Sequence, residues 1–379
     1  MNTKAYINES MLSWAIDKSQ LSMAAIAQKL GQTEDKLTKW ETGAEKPTFT
    51  QAQKLAALLK IPFGYFFLDQ PPEEQLPIPD LRTIADRDLQ APSQDLKDII
   101  YQVLRKQSWY SDYLQDNDVE PLSFVGKFNI KSDVRVVAKD IRETIKVPLP
   151  TSGSSEEYFS KLISSIENTG VLVMRAGIVG NNTRRKLLVT EFRGFAITDK
   201  YAPVIFINSS DAPSARLFTL LHELAHIWIG ASGISSISTS EKKQEEVFCN
   251  HVAAEFLVPG ERIRELWNTK DSVDINLGKV ITEFHVSKIA GARKALQERL
   301  ISEEIYWQIY NKDRTIFLNK NSESDGGNFY NAAIVKNSKP FSKAIVREAL
   351  RGKLLIRDAG RLLGIPPAKL REYASKLTT

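Results

Sequence analysis

The stretch Leu220–Gly230, LLHELAHIWIG, constrains this chain more than any other. Phe218, Leu220, Leu221, Leu224, Ile227, Trp228 and Ile229 make it apolar nearly all round, the pattern of a helix buried inside a protein. It nevertheless carries His222, Glu223 and His226. Burying two imidazoles and a carboxylate is costly unless they are paired or used. On a helix the two histidines lie one turn apart on one face, where neutral imidazoles can reach a single tetrahedral metal ion. Glu223 sits beside them, rotated by about 100°, near the place of a metal-bound water. This is the HExxH arrangement, in which the glutamate is the expected general base. The bland alternative is coincidence, but only four histidines (222, 226, 251 and 285) occur in 379 residues.

A catalytic site needs a third protein ligand and an open coordination position. The next helical stretch, EEVFCNHVAAEFLVP, offers Glu245, Glu246, His251 and Glu255. Glu246 lies 20 residues beyond His226, within reach of a second helix packed on the first. Asn250 shares its face and is placed to hydrogen-bond a ligating histidine. His251 competes as a ligand but falls off that face, and reads better as a packed or surface histidine. Cys249 reads as a small buried hydrophobe. Glu246 is thus a candidate third ligand beside His222 and His226, with His251 still open, and for two imidazoles and a carboxylate Zn²⁺ is expected and Mn²⁺ also compatible.

The surrounding pattern is mostly helical. Residues 1–70 read as four short helices, Met11–Lys18, Ser22–Leu30, Thr33–Glu41 and Thr50–Lys60, with Ser22 and Thr33 as N-caps. Short helices joined by tight turns form a helix-turn-helix module. The Pro-rich, acidic PPEEQLPIPD (71–80) reads as a linker. A long amphipathic helix follows at about 94–116, then helices at Val134–Ile145 and Glu156–Asn168. Gly170–Met174, Leu187–Phe192, Phe195–Ile197 and Val204–Asn208 read as strands. Helices resume at about Ala212–Gly230, Glu245–Leu257, Glu261–Asn268, Gly278–Phe284 and Val286–Glu303, with a short β stretch expected around Tyr306–Leu318. The loop NKNSESDGGN (319–328) precedes a helical end. The fold class is α+β and mostly helical. Four parts are expected: a helix-turn-helix domain (1–70), a linker and long helix (71–130), a metallopeptidase-type core (131–265) and a helical, basic C-terminal region (266–379).

HELAH, preceded by ARLFTLLHE and followed by Glu246–Pro259, resembles the ImmA/IrrE family of metallopeptidases. The likeness runs over roughly 75–300, and EFRGFAITDKYAPVIFINSSD (191–211) resembles the strands ahead of its active helix. The resemblance implies a zincin-like core with His222, His226 and Glu246 as ligands and Glu223 as base. It also implies a regulatory substrate, a repressor of the XRE type or an antitoxin. Many members carry a second Glu two residues before the Asn; here Phe248 stands there, which favours Glu246. An extended substrate would lie beside an edge strand, for which Arg193–Ile197 and Val204–Asn208 are candidates. Tyr158, Tyr201 and Arg216 are candidate oxyanion helpers. The rival reading is a DNA-binding regulator or antitoxin-like binder whose metal is sensory or structural.

Residues 22–47 resemble an XRE-type DNA-binding motif, with Trp40, Glu41 and Gly43 at its W-E-x-G. By that likeness Gln32, Thr33, Lys36 and Lys39 open the recognition helix and face DNA. Charge argues the other way. Residues 1–70 hold eight Lys, no Arg and seven acids, and Glu34 and Asp35 repel phosphates. Sequence-specific DNA binding, protein binding on the same fold, and an inert remnant all remain open readings. The chain's net charge is +5, yet residues 331–379 hold eleven Lys/Arg against three acids. That excess is either a solvated face or an electrostatic footprint for nucleic acid or an acidic partner. The tail IRDAGRLLGIPPAKLREYA resembles a second helix-turn-helix turning at Gly364 and Pro366–Pro367. No apolar run is long enough to span a bilayer. The N-terminus carries no apolar leader, and a lone cysteine fits a reducing compartment; a cytoplasmic protein is expected.

Overall fold

The computed structural model describes residues 3–19, 21–72, 92–150, 154–235, 244–318 and 329–377. The Pro-rich linker (apart from residues 71–72), most of the loop before residue 244, and the loop 319–328 lie outside the described residues. The chain divides into two compact units, Met1–Leu76 and Pro77–Thr379.

The first unit holds α1 (Glu9–Ser19), α2 (Met23–Leu30), α3 (Glu34–Glu41) and α4 (Phe49–Leu58), closed by a 3₁₀ turn at Phe63–Phe67. Its boundaries are set locally. The Ser22 and Thr33 hydroxyls accept from the backbone N–H three residues on, and Thr48 with Gln51 forms a capping box. Gly31, at φ 64°, ends α2 in the left-handed region that glycine tolerates best. Ile26, Leu37, Trp40, Leu55 and Phe66 form the core.

The second unit begins with α5 (Gln94–Gln115), α6 (Val134–Ile145), α7 (Ser155–Asn168) and β1 (Leu172–Ala176). Next come β2 (Gly194–Ile197), β3 (Val204–Asn208), α8 (Pro213–Ile229), β4 (Gly233–Ser235) and α9 (Gln244–Leu257). It ends with α10 (Gly260–Leu266), α11 (Val273–Phe284), α12 (Lys288–Gln297), α13 (Glu303–Leu318), α14 (Phe329–Asn337), α15 (Lys339–Leu350), α16 (Ile356–Leu363) and α17 (Leu370–Leu377). A small mixed sheet has the order β1-β3-β2-β4, with β1 parallel to β3 and the other pairs antiparallel. The architecture is the expected one: mostly helical α+β, a helix-turn-helix unit followed by a helical core around a small sheet. No described helix is long and apolar enough to cross a membrane.

Three local expectations are corrected. Leu187–Phe192 is not a strand. Hydrogen-bonded turns curl it, Glu191 N to Leu188 O at 3.1 Å and Phe192 N to Leu188 O at 3.3 Å. The Glu191 carboxylate is committed instead to the Ser93 backbone N–H and hydroxyl, at the head of α5. Tyr306–Leu318 is helical, within α13. Its aromatic residues sit at helical spacing, with Trp307 and Tyr310 centroids 5.5 Å apart, and the β-favouring composition misleads. The two candidate edge strands are interior, because β4 pairs along the outer side of β2 and β1 along the outer side of β3.

Helix α8 is held at its far end by the 124–128 segment. Its last carbonyls would otherwise be orphans; Gly126 N and Phe128 N bond to the Ile227 and Trp228 oxygens, each at 3.0 Å. This needs close backbone approach: a Cβ on Gly230 would lie 3.1 Å from Gly126 Cα. Phe124 stacks on Trp228 at 4.4 Å, and the Trp228 indole donates to Asp140 Oδ1 at 2.8 Å.

Candidate metal centre

Helix α8 crosses α9 with the histidine face inward. His222 Nε2 and His226 Nε2 are 3.1 Å apart. Glu246 closes the triangle, its Oε2 3.2 Å from His222 Nε2 and its Oε1 3.1 Å from His226 Nε2. Among the described residues this is the cluster whose ligand atoms all lie close enough to hold one ion. All three are buried, and Glu223 is fully so, at 0% exposure.

The donor set fits a metal. A tetrahedral ion with bonds of about 2.0–2.1 Å places its ligand atoms about 3.3 Å apart. The observed separations of 3.1, 3.1 and 3.2 Å are near the edges of such a tetrahedron. Hydrogen bonding alone serves these atoms poorly, because both ring nitrogens turn to the same carboxylate and to each other. Burial pushes the His226 pKa down, which favours the neutral, ligating imidazole. Burial works to raise Glu246, but the facing imidazoles overcome it and hold its carboxyl well below the usual range. The third group is thus an anion.

The other candidates fall where their helix phase puts them. Cys249 is buried, and burial drives its thiol pKa well up, as expected of an inert hydrophobe. His251 is half-buried and faces the charges of Arg293 and Lys294, away from the cluster. Asn250 is buried one turn beyond Glu246, but neither histidine Nδ1 has a hydrogen-bond partner. The expected Asn250–imidazole bond is therefore not formed. Ring orientation comes from packing instead, with Phe218 stacked on His222 at 6.4 Å.

Of the oxyanion candidates, Tyr158 is buried with its hydroxyl 3.5 Å from the Pro148 carbonyl. Tyr201 lies in the β2–β3 turn, its N–H bound to Asp199. Arg216 faces the Phe159 ring at 6.0 Å, and its Nε is buried without a partner. No described hydrogen bond joins any of the three to His222 or His226.

Gly194, which sequence reasoning missed, positions Glu223. A Cβ there would lie 2.7 Å from Thr219 Cγ2, 2.8 Å from the Phe206 carbonyl oxygen and 3.0 Å from Glu223 Oε1. Strand β2 approaches α8 this closely only because residue 194 has no side chain. The available signal was a glycine inside a strand-like run, which often marks close approach. Gly194→Ala is expected to cost about 1–3 kcal/mol of stability by overpacking. It should also displace the Glu223 carboxylate while sparing His222, His226 and Glu246. Metal content equal to wild type with impaired turnover is the expected pair of readings; unimpaired turnover would show that the contact does not matter.

In the first unit, Gln32, Thr33 and Lys36 lie at the start of α3 and Lys39 in its last turn. The Thr33 hydroxyl is spent on capping Lys36 N, and the Gln32 amide donates to Gly31 O at 2.9 Å. Lys39 pairs with Asp35 at 2.7 Å, and Lys36 lies 5.9 Å over the Trp40 ring.

A sheet-backed helix carrying two histidines, joined by a glutamate from the next helix, defines a metallopeptidase-like protein. Residues 166–296 match the Peptidase M78 family, described as an IrrE N-terminal-like domain. Residues 12–66 match a helix-turn-helix family, and residues 337–376 match a domain of unknown function, DUF8813. With this order of domains the chain matches the ImmA/IrrE family in its form with an N-terminal XRE-type helix-turn-helix. No curated protein matches the chain.

Proposed function

We propose that the protein is a zinc-dependent endopeptidase that cuts a regulatory protein of the repressor or antitoxin type. The observation that carries this is the buried His222–His226–Glu246 triangle with Glu223 beside it. His222, His226 and Glu246 would hold the ion, with Zn²⁺ first and Mn²⁺ second for two imidazoles and a carboxylate. When bound, the ion supplies a Lewis acid that polarises a peptide carbonyl and lowers the pKa of water. Glu223 takes the proton of the attacking water on its carboxylate and later delivers it to the leaving amine. Its complete burial excludes bulk solvent from that transfer. The substrate backbone pairs with β4, the short edge strand next to β2, by strand addition.

The full chain, mixed with a helix-turn-helix repressor from the same cell, tests the reading. Cleavage should stop on chelation and return with Zn²⁺. Because the ion binds only the folded chain, its removal should also lower stability, by about 2.7 kcal/mol where free metal had stood at 100 times its Kd. An unchanged melting curve together with unchanged cleavage would sink the proposal.

A second reading rests on the helix-turn-helix match over residues 12–66: a DNA-binding regulator in which the ion is sensory or structural. Gln32, Thr33, Lys36 and Lys39 then form the DNA face. Lys36→Ala with Lys39→Ala should weaken binding of the cognate operator and flatten its salt slope by about one unit per lost phosphate contact. A slope identical to wild type would remove these residues from the interface.

A further inference from the structure

A cavity of about 460 Å³ opens in the second unit between α5, the end of β1, the middle of β3, and the C-terminal helices α14 and α16. Four cations line it: Arg105 and Lys106 from α5, Lys336 from α14 and Arg361 from α16. Among the described residues none of the four is in an ion pair. The carboxylate on the wall, Asp98, is already bound to Arg185 at 2.6 Å.

The two lysines meet only neutral oxygens. Lys106 Nζ donates to Asn337 Oδ1 at 2.7 Å, and Lys336 Nζ donates to Gly180 O at 2.9 Å and Asn181 Oδ1 at 3.2 Å. Lys106 so uses one of its three donors. Burial, with the neighbouring charges of Lys336 and Arg105, brings its pKa down to about 8. A concave site that gathers like charges from three helices is unfavourable by itself and focuses a positive potential. A multiply charged anion relieves it. The remaining wall is partly apolar, with Val103, Ile178 and Leu362, and Tyr101 offers an exposed ring. The volume lies in the range of small-molecule sites.

We propose that this cavity binds a phosphate-bearing small molecule of nucleotide size, with Lys106 and Lys336 on the phosphates and Tyr101 and the apolar wall on its body. A single carboxylate would leave most of the positive charge unpaired, whereas a di- or triphosphate matches it. The site is independent of the peptidase reading. It also adjoins the metal centre's support, since Phe206 lines the cavity and its carbonyl oxygen backs Gly194, which faces Glu223.

The test is calorimetric titration of the full chain with ADP, ATP, inorganic phosphate and citrate, repeated on Lys106→Gln, Lys336→Gln and His226→Ala. ADP or ATP should bind one per chain, at least tenfold tighter than phosphate or citrate. Lys106→Gln and Lys336→Gln should each weaken it about tenfold or more, as loss of a charge-assisted contact does. His226→Ala should leave it unchanged, which separates this site from nucleotide held by the metal centre. At pH 8 binding should take up a proton, read as a heat that varies with buffer ionisation enthalpy, and Lys106→Gln should reduce that uptake, burial having lowered the pKa of Lys336 as well. Each lysine variant removes like-charge repulsion, so each should fold; an unchanged far-UV spectrum checks this. Failure of both nucleotides to bind, equal binding of citrate, binding indifferent to both lysine variants, or binding only of a single-stranded oligonucleotide would each overturn the proposal.

Discussion

Glu223→Gln is expected to retain the ion and to lose cleavage by about 10²–10⁴-fold, the usual worth of a positioned general acid–base. The substitution keeps shape and hydrogen-bonding capacity but removes the ability to accept a proton. Glu223 is fully buried, and Gly194 leaves room for its carboxylate, so an isosteric amide fits where a larger change would not. The side chains placed to hold an ion are His222, His226 and Glu246, and none of them is altered. Metal content measured on the purified variant should equal wild type, while cleavage of the repressor, followed by mass spectrometry, should fall. The same variant decides between the two functional readings. A sensor or structural centre needs the ion but no base, so its regulatory effect in cells would survive Glu223→Gln intact. That outcome would falsify the peptidase proposal.

The parts of this site that were legible in the sequence depend on local periodicity. His222 and His226 announce themselves because helical spacing puts i and i+4 on one face. Glu246 follows from its place on the next helix together with the family resemblance, and the structure brings it within 3.2 Å of both imidazoles. Caps such as Ser22 and Thr33 are equally local. What stayed hidden is non-local. Strand β4 spans Gly233–Ser235, too short to show an alternation of its own, yet its pairing moves β2 from the edge to the interior. Asn250 has the right face, but which ring edge a histidine presents depends on the neighbour it turns to. The 306–318 segment has aromatic composition that suits a strand and spacing that suits a helix, and the spacing decides. The cationic cavity joins residues as far apart as Arg105 and Arg361, and no window along the chain shows that meeting. Even the C-terminal charge excess becomes specific only when folded, as Lys336 and Arg361 line that cavity while Lys353 and Arg371 do not.

Lys294→Met is expected to cost about 3–5 kcal/mol of stability, the penalty for breaking a buried ion pair on one side. Lys294 on α12 is fully buried, with its ammonium between Glu255 of α9 and Glu298. Glu298 Oε1 lies at 2.6 Å. Glu298 also pairs with Arg264, and the Gly260 N–H donates to Glu255 Oε1 at 3.1 Å. A Cβ at Gly260 would push the Glu298 carboxylate out of its place beside Lys294. The network thereby ties α9, α10 and α12 together behind the metal centre. Methionine fills the space but leaves Glu255 without its countercharge in a poorly hydrated place. At about 2–4 °C per kcal/mol for a unit of this size, the melting temperature should fall by on the order of 10 °C. Excess Zn²⁺ should recover part of the loss, because Glu246 lies on the same helix as Glu255 and the ion binds only the folded arrangement. The double variant Lys294→Met with Glu255→Leu should be less damaged than Lys294→Met alone, since it removes the stranded charge. Equal or greater damage in the double variant, measured by urea unfolding, would show that packing rather than charge pairing holds α9 in place.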